Sequence, residues 1–385
     1  MSRKKILLII LVLALVTGGI LVYYYLSRQP ATEPLPVLNN APGPLATGET
    51  QDPAVLEEIA KTVPRLIVDG QAKDFWISDN GGIFYIDGAG GIFRTEPNTG
   101  ESEKLSTVMG GPVRQISPAR NGDRVLLSFI QDDVPYFRIF NTLSRSWLGL
   151  PDKTLAAAWS PDNKKIAYLA SDGAPFATLY ILTVESGRSE ATGVSLPVFD
   201  PVIGWPVEEK ILLSSSVTSK DAGALWAVNL KNQKLAKIDD ANHGLVIEWA
   251  PEAGYGLAFS TERGLFAMGL DGEVVADLDL VTLPEKCSVG DEFIYCGTGG
   301  GLRQASLPDS YWTREKYSND DLMIISVEGD FLSLKNSLKM ADGRPLDIYR
   351  PKINGDILYF INKYNGAVYS LKIDNPFLAF EKLNQ

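Results

Sequence analysis

The sequence predicts an all-β protein, a seven-bladed β-propeller set behind an N-terminal transmembrane helix and a flexible tether. Three observations lead there. In the stretch from Trp159 to Ala170, apolar residues at Ala156, Ala158, Ile166, Tyr168 and Ala170 alternate on either side of a Pro-Asp-Asn turn, the pattern of two half-buried antiparallel strands. Weaker copies stand around Ser78, Ser117, Trp205, Trp249, Cys287 and Arg350, and a period of roughly 40 residues signals radially repeated four-stranded sheets. The chain also carries 35 glycines and 23 prolines, in keeping with many short strands joined by tight turns. The copies count to seven, with six and eight as the alternatives.

Residues 1–26 begin with Arg3, Lys4 and Lys5, followed by an uncharged run from Ile6 to Leu26. That is about the 20 residues needed to cross a bilayer. Tyr23, Tyr24 and Tyr25 form an interfacial aromatic belt, and no small-x-small site follows cleanly, so an uncleaved anchor is expected in preference to a signal peptide. The basic start stays cytoplasmic. The expected location is therefore the cell membrane, single-pass, with the C-terminal domain extracytoplasmic. Residues 27–61 are a tether rich in Pro, Ala and Thr, in which Asp52 and Pro53 are suited to start a short helix. Residues 62–385 are left for the propeller.

The blades follow in order. Asp74 to Ile77, Gly82 to Ile86, Gly91 to Thr95 and Glu103 to Ser106 make the first, and strands between Val113 and Leu150 the second. The third continues from the Trp159 stretch through Leu179 to Gly187. The fourth uses Val202 to Trp205, Lys210 to Ser215, Ala224 to Asn229 and Leu235 to Ile238, and the fifth runs from Leu245 to Asp277. Blade six begins at Glu285 and is interrupted from about Gly297 to Asp320 before Leu322 to Val327 resumes it. Blade seven takes Asp347 to Arg350, Ile357 to Ile361 and Ala367 to Ile373. A propeller closes its ring to remove an exposed edge. Either Arg65-Leu-Ile-Val68 or Phe380 to Leu383 supplies the missing outer strand, and the N-terminal segment is favoured.

The run Trp159-Ser-Pro-Asp-Asn-Lys-Lys-Ile-Ala-Tyr168 resembles the TolB-type, or PD40, class of WD40-like bacterial propellers, over about residues 64 to 373. The Gly-His and Trp-Asp dipeptides of the eukaryotic WD40 repeat are absent, and other units keep fragments such as Trp249-Ala-Pro-Glu. The resemblance implies the fold. A membrane span and tether occupy the place of TolB's additional α/β domain, so TolB's partners are not carried over. Leu283-Pro-Glu-Lys-Cys287 and Ile294-Tyr-Cys296 also look like a subset of anchored bacterial propellers with paired cysteines in this blade, which implies an envelope protein.

A net charge of −11 argues against a nucleic-acid ligand, since phosphate binding needs a basic surface. The single histidine, His243, removes most His-based metal sites and triads, and it lies in an expected inter-blade loop. No metal and no cofactor are expected. If Asp291-Glu292 is a two-residue turn, Cys287 and Cys296 fall opposite each other on adjacent strands, where an oxidising compartment allows a disulfide. A redox or metal site lacks Cys-x-x-Cys and nearby His.

The blade-six insertion mixes Gly299-Gly-Gly301 with Arg303, Tyr311, Trp312, Arg314 and Tyr317, a composition common at binding hot spots. It is the candidate binding loop, with a lid folded over blade six as the competing reading. Trp159, Trp205 and Trp249 recur at one place in successive repeats and are expected in the inter-blade core. The acidic pairs Asp132-Asp133, Glu208-Glu209, Asp239-Asp240 and Asp320-Asp321 are expected as solvated turn charges. No Gly-x-Ser-x-Gly elbow appears. The expected function is non-catalytic protein binding or scaffolding at the cell envelope, not enzymatic activity. The alternative is an envelope hydrolase or lyase whose site lies in the central channel.

Overall fold

The computed structural model describes residues 63–373, apart from 108–110, 132–133, 172–175, 198–199, 216–217, 251–252, 304, 328–332, 339 and 341–342. The span expected at Ile6 to Leu26, the tether and the alternative closing strand at Phe380 to Leu383 lie outside the described residues. Among the described residues no helix is long and apolar enough to cross a membrane.

Seven antiparallel sheets of four strands each make the propeller. They occupy residues 72–107, 113–149, 154–196, 201–243, 246–280 and 287–336, and the seventh joins 348–372 to Arg65–Val68. Strand order within blades one to six is sequential. The first strand of each blade is the innermost, because neighbouring first strands touch. Thr154–Trp159 meets Pro201–Val207, and Ile348–Asn354 meets both Cys287–Val289 and Ala72–Ile77. These strands line the central channel.

Burial explains the sequence pattern. Second strands such as Lys210–Ser215 and Arg124–Gln131 carry consecutive buried apolar residues at their centres, Ile211 to Leu213 and Val125 to Leu127, because both their faces meet a neighbouring blade. Outer strands such as Ser102–Thr107 carry charge on exposed faces. Seven apolar clusters fill the seven junctions between blades. Trp159 and Trp205 are buried in two of them, and Trp249 is partly buried in a third, as expected of scaffold tryptophans. The indole N–H of Trp76 donates to the Gly122 carbonyl at 3.0 Å, and that of Trp159 to the Ser117 carbonyl at 2.9 Å, so each fastens one blade to the next. Gly122, at φ 72°, has no alternative residue type: a Cβ there would fall 2.4 Å from the Ser78 Cα of the adjacent blade.

The ring closes as favoured. Arg65–Val68 pairs antiparallel with Ala367–Lys372, with Leu66 opposite Tyr369 and Val68 opposite Val368. The outermost strand of blade seven thus comes from the N-terminal side of the propeller.

Three local expectations are corrected. His243 does not sit in a loop but ends the outer strand Lys234–His243, which overruns its partner through register shifts until His243 faces Ala222. Its exposed ring nitrogen lies 2.5 Å from Glu262. Glu285 precedes blade six in a short 3-10 turn, Pro284–Lys286, and the strand starts at Cys287. Asp320 is not a solvated turn residue but is buried, for the reason given below. The disulfide is present: Cys287 and Cys296 are paired in register and bonded.

Candidate binding face at the channel mouth

The insertion between Phe293–Thr298 and Asp321–Ser326 folds back over one face of the propeller. Its neck is narrow because Gly299 and Gly301 let the two limbs run close; a Cβ at either would come within 2.6 Å of a backbone atom of Asn319 or Tyr317. The far limb carries the one-turn helix α1, Asp309–Trp312. Leu302, Leu307 and Tyr311 are buried with Leu283 and with Phe259 of blade five in a cluster of their own. Asp309 accepts hydrogen bonds from the Ser219 backbone at 3.0 Å and hydroxyl at 2.7 Å, reaching blade four. Tyr317 stacks on Tyr364 of blade seven with ring centroids 4.9 Å apart. The loop is therefore a cap across blades four to seven.

A buried ionic network holds the cap down. The Lys286 ammonium is fully buried, and its three protons are shared among Asp320 at 2.6 Å, Asp347, the Ser318 hydroxyl at 2.9 Å and the Ile348 carbonyl at 2.8 Å. The Tyr311 hydroxyl donates to Asp347 at 2.8 Å. Asp347 also accepts from the Ser318 backbone at 3.1 Å, and Asp320 from the Ile348 backbone at 2.6 Å. Burial works against the Lys286 charge, but the two carboxylates outweigh it and raise its pKa. Burial raises Asp320 to about 6 despite the pull of Lys286, with Asp347 adding to the rise. This network is why Asp320 leaves solvent. With side chains sealed, Asp320 and Asp347 cannot meet a substrate.

Next to the network, at the mouth of the channel, a cavity of about 170 Å³ is lined by Lys73, Glu285, Trp312, Arg314, Tyr349 and Lys363 among others. Glu285 is buried and accepts from the Trp312 indole N–H at 3.1 Å. Burial raises its pKa, with Arg350 pulling the other way. Lys363 is lowered to about 8, first by burial, and donates to the Tyr311 carbonyl at 2.8 Å.

Arg350 spans the channel. It lies at φ 51° in a strand whose register shifts between Tyr349 and Lys352, and such a bulge re-aims a side chain. Its guanidinium reaches Glu248 of blade five at 2.8 Å and Asp74 of blade one at 3.8 Å. Burial raises Asp74, against Arg350 and Lys352. A larger space of about 460 Å³ borders Glu248, Trp249, Ser288 and Lys352, and also touches Cys287 beside the disulfide.

Of the candidate loop residues, Trp312 is 43% exposed while Tyr311 is fully buried. Arg303 and Arg314 are exposed and Tyr317 half-buried against Tyr364. Tyr311 belongs to the lid, and Trp312 and Arg314 face the cavity. Sequence reasoning missed Lys286, Asp347, Arg350, Lys363 and Lys73. The one local signal was Glu285-Lys286 wedged between apolar Leu283-Pro284 and Cys287, an unusual seat for two opposite charges.

No protein-family model matches the sequence, and no curated protein matches it. Among solved structures, TolB from Acinetobacter baumannii aligns at 12% identity over 71% of this chain and 63% of its own, with a TM-score of 0.42. The chain therefore spans under two thirds of that protein. A chain in the crystal structure of the mitotic checkpoint complex aligns at 11% identity over 90% of this chain and 100% of its own, with a TM-score of 0.54. At such identity the likeness to the latter is one of fold alone.

Proposed function

We propose that this chain is a single-pass, membrane-anchored extracytoplasmic propeller that binds a protein partner without catalysis, through the capped face at its channel mouth. The anchor and its orientation rest on the basic start and the apolar run to Leu26. The observation that carries the binding reading is Trp312, presented 43% exposed on a backbone held by the Lys286 network and the Tyr311 cluster. An aromatic anchor whose backbone is already immobilised loses little further entropy on binding. In full-length protein, a photo-crosslinker beside Trp312 is expected to trap a discrete envelope protein, and Trp312→Ala to weaken capture with a melting temperature lowered only by the lost hydrogen bond to Glu285. A large fall in melting temperature instead would make Trp312 part of the lid.

A second reading, hydrolase or lyase chemistry in the channel, draws on Glu285, a carboxyl raised by burial that borders a cavity. Such a group is suited to general-acid work. The two readings part on Glu285→Gln, which abolishes turnover in an enzyme and leaves partner capture in place in a scaffold.

A further inference from the structure

The chain as a whole is acidic, at −11, yet three cations border the cavity at the capped mouth. Lys73, Arg314 and Lys363 have no carboxylate within ion-pair distance among the described residues. They come from three places: the inner strand of blade one, the cap, and the turn after Ile357–Asn362 of blade seven. Glu285, the carboxylate on the same wall, accepts from the Trp312 indole and attracts Lys363 from beyond ion-pair distance. We infer that this cavity is a carboxylate-binding site, in which Lys73, Arg314 and Lys363 converge on an acidic group of the protein partner.

The inference rests on the protein-binding reading and says what the face recognises. Lys363, whose ammonium also sits 3.0 Å from the Tyr311 ring centre, gives one proton to the Tyr311 carbonyl, and Lys73 gives one to the Val113 carbonyl, out of the three an ammonium has. Arg314 offers the planar fork that suits a carboxylate. After burial, Arg314 is the cause that lowers Lys73, while on Lys363 the pull of Glu285 and Asp347 comes ahead of the repulsion from Lys286 and Arg314. An incoming anion relieves that repulsion. About 170 Å³ is below the roughly 300–1,000 Å³ of pockets for drug-sized ligands, so one acidic side chain or chain terminus fits. Glu285 on the wall disfavours a dianion such as phosphate. Trp312 and Tyr349 supply apolar walls beside the charge.

The test is calorimetric titration of the full chain in detergent with N-acetyl-Ala-Ala-Glu-amide, its Gln counterpart, acetate and inorganic phosphate. The Glu peptide is expected to bind and the Gln peptide not. Arg314→Gln and Lys73→Gln, both at exposed positions, are each expected to weaken binding by about threefold to tenfold. Affinity is expected to fall from pH 7 to pH 9 as Lys363, at about 8, loses its proton. Equal binding of the two peptides, tighter binding of phosphate, no binding of any probe, or an unchanged affinity in the Lys73→Gln/Arg314→Gln double variant would each overturn the site. Acetate binding as tightly as the peptide would overturn the assignment to a protein partner. Capture through Trp312 is measured separately, so a partner trapped there with no carboxylate binding refutes this site and leaves the face.

Discussion

The Lys286 ammonium stands 2.6 Å from an Asp320 carboxylate oxygen, and neither side chain has any solvent-accessible surface. Such a pair is weak evidence for net stability, since desolvation offsets the attraction, but removing one partner strands the other's charge. Lys286→Met leaves Asp320 and Asp347 buried without their cation. Its expected cost is about 3–5 kcal/mol in urea unfolding, with much of it recovered when Asp320→Asn and Asp347→Asn are added. A loss below about 1 kcal/mol would mean that the network reorganises with water and does not hold the cap.

Acid should act on the same pair in a definite direction. Burial places Asp320 at about 6 in the folded chain against an ordinary 3.8, so between those values the folded state binds more protons than the unfolded one. Stability from this group therefore rises as pH falls from 6 toward 4, and is least above 6. The shift corresponds at most to about 3 kcal/mol. The unfolding free energy of wild type relative to that of Asp320→Asn should be greater at pH 4.5 than at pH 7. A difference that does not change with pH would refute the assignment to Asp320.

The disulfide closes a short loop. Cys287 and Cys296 are directly opposed across Ser288–Tyr295 and Val289–Ile294 pairs, nine residues apart. A loop of that size supports about 3 kcal/mol of unfolded-state restriction at most. Reduction is expected to lower the melting temperature while the propeller stays folded at 25 °C, and thiol counting on native protein should find no free thiol. Both sulfurs lie in the apolar cluster between blades five and six, so the native bond should resist mild reductant until the blade opens.

Local chemistry explains what the sequence could and could not reveal. The strands of blades one to five follow alternation and turn residues within a few positions, because each hairpin is specified by its own neighbours: Ile83–Asp87 and Gly91–Thr95 need only the turn between them. The cysteine pairing was readable for the same reason. The ionic network was not. Asp320 and Asp347 lie 34 and 61 residues from Lys286 along the chain, and each of the three alone resembles a solvated charge. Only the docking of whole blades on one another brings blade six against blade seven with the cap between. The mouth cations Lys73, Arg314 and Lys363 share that origin, as does the burial of Tyr311, which the aromatic composition of the insertion could not separate from the exposure of Trp312.

Ring closure itself gives a graded test within four residues. In Arg65–Val68 the last two residues are buried and Leu66 is 46% exposed. Ile67 packs in the cluster that joins blade seven to blade one, with Phe75, Tyr85 and Ile361. Ile67→Ala removes buried surface at the seam of the ring, for an expected loss of about 2–5 kcal/mol. Leu66→Ala, on the exposed side of the same strand, should stay within about 0.5 kcal/mol. If the strand secures the ring, Ile67→Ala should also raise hydrogen exchange in its pairing partner Ala367–Lys372 before it does so in blades three and four. Equal effects of the two substitutions, or exchange that rises uniformly around the ring, would show that closure does not depend on this strand.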